Sequence, residues 1–204
     1  MKCPLVSHSE SGPGDRVGFS LLELLLVVVI ILILTTLYWS PNRANRQMAL
    51  QSACRNNLQK IYIAMEIYAN DHGGKFPIVS NARTSAQGLE PLVPRYTSDT
   101  SIFVCPGSSD SAPSGQSIRN RALSYAYYMG RAPTNQQVVI TDRQVDSLQK
   151  AAGQFVFSSN GKPPGNNHRQ FGGNFLFCDG RVEASSPKTS IPLGLSAGEV
   201  LLNP

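Results

Sequence analysis

Charge is scarce in this chain. Asp, Glu, Lys and Arg supply only 15% of its 204 residues, and aromatic residues another 8%. The basic residues are scattered, with Arg43, Arg46 and Arg55 the nearest to a cluster, which reads as a solvated face. A nucleic-acid partner is therefore not expected, although the net charge is +5. The chain also lacks a phosphate-binding loop, a Cys-x-x-Cys pair and a histidine-rich metal motif. What it has instead is 17 glycines and 14 prolines. These predict a loop-rich domain that still carries enough apolar residues to fold.

Against that background one stretch stands out. From Phe19 to Trp39 there are 21 residues and a single charge, Glu23. As a helix this run is about 31 Å long, enough to cross a bilayer core of about 30 Å. The expectation is a single-pass membrane helix, with Arg16 holding residues 1–18 on the cytoplasmic side. A carboxylate inside an apolar helix costs a few kcal/mol and needs a partner. A cut between Gly18 and Phe19 would create an amine at the first mature position and leave Glu23 at the fifth, on the same helix face. The cut would precede the apolar core, unlike that of a secretory signal.

Gly18-Phe19-Ser20-Leu21-Leu22-Glu23 and the apolar run resemble the class III signal of type IV pilins and type II secretion pseudopilins. Ser20 stands where that family most often has Thr. The resemblance implies processing by a prepilin peptidase, with Gly18 before the cut and Phe19 carrying the methylated amine. It also implies assembly with other subunits, in which Glu23 neutralises a neighbour's amine.

Beyond Pro41, expected to kink the helix, apolar residues recur at Leu50, Cys54, Leu58, Ile61, Met65 and Tyr68. The pattern predicts an amphipathic helix laid on a sheet, with Arg46, Arg55, Asn56, Gln59 and Lys60 outward. Gly73-Gly74 should end it. Cys54-x-x-Asn57-Leu58, Tyr68-Ala69-x-Asp71 and Phe76-Pro77 are similar to a bacterial group of pseudopilin-like proteins related to the major pseudopilin. That group's later Asp, His, Gly-Gly-x-Asn and Asp-Gly correspond to Asp142, His168, Gly172-Gly173-Asn174 and Asp179-Gly180. Cys178 and Arg181 depart from its pattern.

Strands are expected at Ile102–Cys105, Tyr125–Met129, Val138–Thr141 and, more weakly, Phe155–Phe157. A hairpin is expected across Asp179-Gly180 with a type I′ turn. Residues 78–100 read as a short helix or packed loop, and the tail after Pro187 has no period. The fold class is α+β: a long N-terminal transmembrane-plus-amphipathic helix on a small antiparallel sheet, pilin-like. The divisions are a cleaved leader over 1–18, a transmembrane and assembly helix over 19–40, its amphipathic half over 41–72, and a β-sheet ectodomain over 73–204.

The resemblance also implies a Cys54–Cys105 disulfide, since both match cysteine positions of the group. The alternative is that Cys54, Cys105 and Cys178 are small buried apolar residues. Cys178, His168 and Asn174 could compose a thiol hydrolase, and Asp142, Asn174 and Asp179 could offer oxygens to calcium, but neither set has a diagnostic spacing. The expectation is a non-enzymatic pilin-like subunit of a type II secretion pseudopilus or type IV pilus, with no resident cofactor. Its partners would be prepilin peptidase, other pilin or pseudopilin subunits, an inner-membrane assembly platform and the membrane. Its place would be the bacterial inner membrane, with the ectodomain in the periplasm or in a fibre. The alternative function is a membrane-tethered periplasmic binding or hydrolytic domain.

Overall fold

The computed structural model describes residues 18, 20–38, 43–133 and 136–204, with the side chains of 37, 43 and 44 left aside. The leader through Val17, Phe19, Trp39 and Pro41 lie outside the described residues. The chain divides into two units, one ending at Asn42 and one spanning Arg43–Pro204.

The described part of the first unit is helix α1, Leu21–Tyr38. It overturns the expected membrane span, and with it the single-pass inner-membrane localisation. Among the described residues no helix is long and apolar enough to cross a membrane. α1 has 18 residues, about 27 Å against the roughly 30 Å of a hydrocarbon core. Glu23 occupies its first turn. Thr35 and Thr36 lie near its end, where their hydroxyls donate to the carbonyls of Leu32 and Ile33. The purely apolar part is therefore shorter still. The long N-terminal transmembrane helix of the expected fold class is not seen.

The second unit opens with α2, Arg43–Asp71. Cys54, Leu58, Ile61 and Met65 are fully buried on one side of it, while Arg46, Arg55, Asn56, Gln59 and Lys60 are exposed. Each large apolar side chain removed from water in this way stabilises the fold by about 1.5–3 kcal/mol. Gly73 and Gly74 both take positive φ, and the Gly74 amide closes the helix on the Ala69 carbonyl. Phe76 then buries beside the edge of Tyr62.

Five antiparallel strands follow: β1 Tyr125–Met129, β2 Val138–Asp142, β3 Gly173–Phe177, β4 Val182–Ser185 and β5 Val200–Leu202. Their order is β4-β3-β2-β1-β5. The tail, unplaced from sequence, thus returns to pair with β1, with Tyr128 opposite Leu201. A short helix α3, Ser85–Leu89, capped by Thr84, packs near β1 and runs into a 3-10 turn at Glu90–Leu92.

Three local expectations change. Thr100–Phe103 is a 3-10 helix capped by Asp99, not the start of a strand, because the Asp99 carboxylate takes the Ser101 amide and hydroxyl. Phe155–Phe157 makes only an isolated bridge, Phe155 to Lys188. In the β3–β4 hairpin the Phe177 amide donates to the Arg181 carbonyl, which leaves three residues, Cys178, Asp179 and Gly180, inside that bonded pair. Gly180 donates to the Phe177 carbonyl and alone in the loop takes a positive φ, so this is a type I turn with a glycine bulge rather than type I′.

The sheet is buried on both faces. Tyr125, Tyr127, Ile140 and Leu176 join the core under α2; Ala126, Tyr128, Phe175 and Phe177 face a second core with Val156, Phe157 and Leu193. A register shift between Val138 and Ile140 lets neighbouring Val139 and Ile140 share the α2 side. The loops over the second core are held by backbone bonds: Val145 to Val156, both Val156 and Phe157 to Pro187, and a mutual pair between Lys150 and Leu193.

Candidate functional site

The α2 helix meets the sheet through a polar cluster sealed from solvent. Its first component is a disulfide joining Cys54, on the buried stripe of α2, to Cys105, just after the Thr100–Phe103 turn. The Asn57 amide, three residues along α2, donates to the Val104 carbonyl at 3.1 Å. Helix and turn are thus joined at two neighbouring points.

The second component is Asp142, at the end of β2 and 0% exposed. A buried carboxylate costs several kcal/mol unless hydrogen bonds replace its water. Here one oxygen takes the Asn167 amide at 2.7 Å. The other takes the Asn174 backbone N–H at 2.7 Å and its side-chain amide at 3.1 Å. His168 Nε2 lies 3.4 Å from that second oxygen and 3.3 Å from Cys105 Sγ. A carboxylate can only accept, so the imidazole proton facing it sits on Nε2. Its Nδ1 is buried without a partner.

The glycines before Asn174 explain how the backbone reaches this position. Gly172 has φ +91°, and a Cβ there would collide with the Ser185 carbonyl on β4 at 1.9 Å. A Cβ on Gly173 would strike the Phe157 ring at 2.7 Å. Asn174 then spans sheet and helix: its amide also donates to the Gln51 carbonyl at 3.2 Å, and the Gln51 amide returns to the Gly173 carbonyl at 3.0 Å. Both amide hydrogens of Asn174 are consumed.

Cys54, Cys105, Asp142, His168 and Asn174 are thus gathered in one place. Asp71, by contrast, binds Arg95 and the Tyr96 hydroxyl at the far end of α2. Asp179 takes the Arg181 amide in the hairpin turn, at the opposite end of β3 from Asn174, so the calcium trio is not assembled. Gly180 lies under Tyr62, whose ring a Cβ would meet at 2.5 Å. Cys178 is also at that end; burial pushes its thiol up to about 12, far from a nucleophilic thiolate. The Cys178/His168/Asn174 hydrolase geometry is likewise not formed. Glu23 stands apart in the first turn of α1.

Two members of the cluster escaped the sequence. Gln51 lies one turn before Cys54 beside the apolar stripe, where an amide facing the core was its only signal. Asn167, wholly buried, uses both amide hydrogens, on Asp142 and the Ser124 carbonyl. Standing next to His168 in a loop of similar residues, it had no signal. Comparison of the chain with protein-family models, curated proteins and solved structures finds no match in any of the three.

Proposed function

We propose that this chain is a structural subunit of a pilin-like fibre, of the type II secretion pseudopilus or type IV pilus class, that assembles through α1 after cleavage between Gly18 and Phe19 by a prepilin peptidase. One observation carries the reading: α1 holds a single charge, yet its described side chains are all exposed, its large apolar ones from Val27 at 44% to Tyr38 at 87%. Apolar surface on this scale, uncovered within the chain, calls for a partner surface. Copies of the same helix provide one. Glu23 then needs a counter-charge once buried between subunits, and the Phe19 amine of a neighbour supplies it.

The sealed cluster supports the same reading from the other side. His168 and Asp142 are 0% exposed and held by internal bonds, which suits a scaffold that must hold its helix rigidly.

The test compares the parent with Glu23→Ala in sedimentation and electron microscopy of assembled material. Fibre yield should fall at least tenfold, while the melting temperature of the folded unit stays unchanged. Intact mass spectrometry of the isolated subunit should give an N-terminus at methylated Phe19. A Glu23→Ala chain that assembles as well as the parent removes the assembly role of this helix.

A further inference from the structure

The disulfide does not by itself explain the company it keeps. A cross-link between a helix and a turn needs neither a carboxylate nor an imidazole beside its sulfurs, and burying both is costly. Yet Cys54 Sγ, Cys105 Sγ, His168 Nε2 and an Asp142 oxygen all lie within 4.8 Å of one another, and all four residues are buried. These are two soft sulfur donors, one imidazole and one carboxylate, the donor types that hold zinc in proteins.

The distances fit that chemistry. Tetrahedral zinc, with bonds of about 2.3 Å to sulfur and about 2.0–2.1 Å to nitrogen and oxygen, has sulfur–nitrogen edges near 3.5 Å and nitrogen–oxygen edges near 3.3 Å. Here Cys105 Sγ to His168 Nε2 is 3.3 Å and His168 Nε2 to Asp142 Oδ2 is 3.4 Å. The remaining edges lie within 4.8 Å, and the sulfur–sulfur edge has to open from a bond to about 3.8 Å.

We propose that reduction of the Cys54–Cys105 bond converts this cluster into a four-coordinate site for a zinc-class divalent cation, bound by Cys54, Cys105, His168 and Asp142. This is independent of the assembly reading. The disulfide and the metal site are alternative states of the same four residues. A dithiol, itself oxidised to its cyclic disulfide, supplies the two electrons and two protons that turn the S–S bond into two thiols. On binding, the thiols release two protons to solvent and each sulfur donates a lone pair to the cation. The imidazole proton leaves Nε2 for Nδ1, the buried nitrogen that has no partner in the oxidised state. Two thiolates, one carboxylate and a divalent cation sum to one negative charge, the same as the carboxylate alone beside the disulfide. The amides of Asn167 and Asn174 that already hold Asp142 serve both states, fixing the ligand from behind.

A way in exists. A surface cleft lined by Arg46, Gln47, Leu50, Pro106, Gly107 and Arg169 opens beside the chain neighbours of Cys105 and His168. Gly107 forms the partition: a Cβ there would lie 2.8 Å from His168 Nδ1. Gln47 brings a buried, unpartnered Oε1 to this cleft, an acceptor along the path.

The experiment uses the full chain with Cys3→Ser and Cys178→Ser, leaving only the two thiols in question. One sample is oxidised; the other is reduced with excess dithiol and freed of it by anaerobic gel filtration. Each is titrated with Co²⁺, whose visible spectrum distinguishes four-coordinate thiolate sites. The reduced chain should bind one cobalt ion with intense four-coordinate bands and thiolate charge-transfer absorption, displaced by one equivalent of Zn²⁺. The oxidised chain should bind at least tenfold more weakly. Near-UV circular dichroism follows the fold: if reduction alone loosens it, cobalt should restore the signal. His168→Ala should lose the four-coordinate spectrum, and Cys54→Ser, also free of the disulfide, should lose at least half of the charge-transfer absorption. No binding by reduced chain, equal binding in both states, six-coordinate bands, or retention of the spectrum in Cys54→Ser would each overturn the proposal.

Discussion

Helices α1 and α2 distribute their apolar residues differently. α1 is apolar nearly all round and its described side chains are exposed; α2 is apolar along one stripe whose centre, Cys54, Leu58, Ile61 and Met65, is fully buried, with Leu50 and Tyr68 half-buried at its ends. An amphipathic stripe states where a helix's own chain will cover it. An all-apolar helix of similar pitch carries no such instruction and needs cover on every side. Exposure of apolar side chains therefore separates the two: the centre of the α2 stripe is covered by the core it shares with the sheet, whereas the described side chains of α1 are exposed.

The largest expected separation between the two units comes from alkali. Burial raises the Tyr127 and Tyr125 hydroxyls above their ordinary 10.0 and the Cys178 thiol from 9.0 to about 12. All three lie in the unit that contains α2. The unfolded chain releases these protons at ordinary values while the folded one retains them, so stability is full below about pH 9 and falls as pH rises. Near-UV circular dichroism of the α2 unit should therefore collapse above pH 10 while the far-UV helix signal of α1 persists. Tyrosinate absorbance appearing near pH 10 from chain that is still folded would place these side chains in water.

Reduction follows. The Cys54–Cys105 bond closes a loop of sequence separation 51, for which chain-entropy arguments give about 4 kcal/mol. In chelator, reduction should lower the unfolding free energy obtained from urea curves by that amount, and Cys178→Ser should not reproduce it.

Paired truncations then divide the helices directly. Leu58→Ala should cost about 2–5 kcal/mol, because a fully buried side chain leaves a cavity. Leu25→Ala, in the exposed helix, should change the same unfolding curve by less than about 0.5 kcal/mol. Equal losses would mean that α1 also packs on its own chain. Within the α2 unit a smaller effect than that of Leu58→Ala is expected from Asn57→Ala, which removes one side-chain bond to the Val104 carbonyl and should cost about 1 kcal/mol. Hydrogen exchange at residues 100–105 should quicken with it.

The legible parts were those coded by local period. The α2 stripe, its glycine stop, β1, β2 and the β3–β4 hairpin all follow from spacing within a few residues. The illegible parts depend on pairing across the chain. Ile102–Cys105 has the composition of a strand, but its edge faces α2 and Asp99 caps the turn, so no ladder forms. The second core could not be read because Val156, Phe157 and Leu193 lie in loops without period, and only the sheet's other face makes them core. Of the site, Cys54, Cys105, Asp142, His168 and Asn174 were each conspicuous, yet a chemical residue type does not say which others it will meet. The sequence placed Cys178 and Asp179 with His168 as readily as Cys105.

By itself, then, the sequence determined the residue types, the amphipathic period of α2, the apolar character of α1 and the turn at Asp179-Gly180, because each is written in neighbours a few positions apart. Tertiary structure alone decided the strand order β4-β3-β2-β1-β5, the return of the tail to β1, and the meeting of a disulfide, an imidazole and a carboxylate. The reason is physical: burial of Asp142 is affordable only where Asn167 and Asn174 converge on it, and that convergence exists only once the sheet has formed.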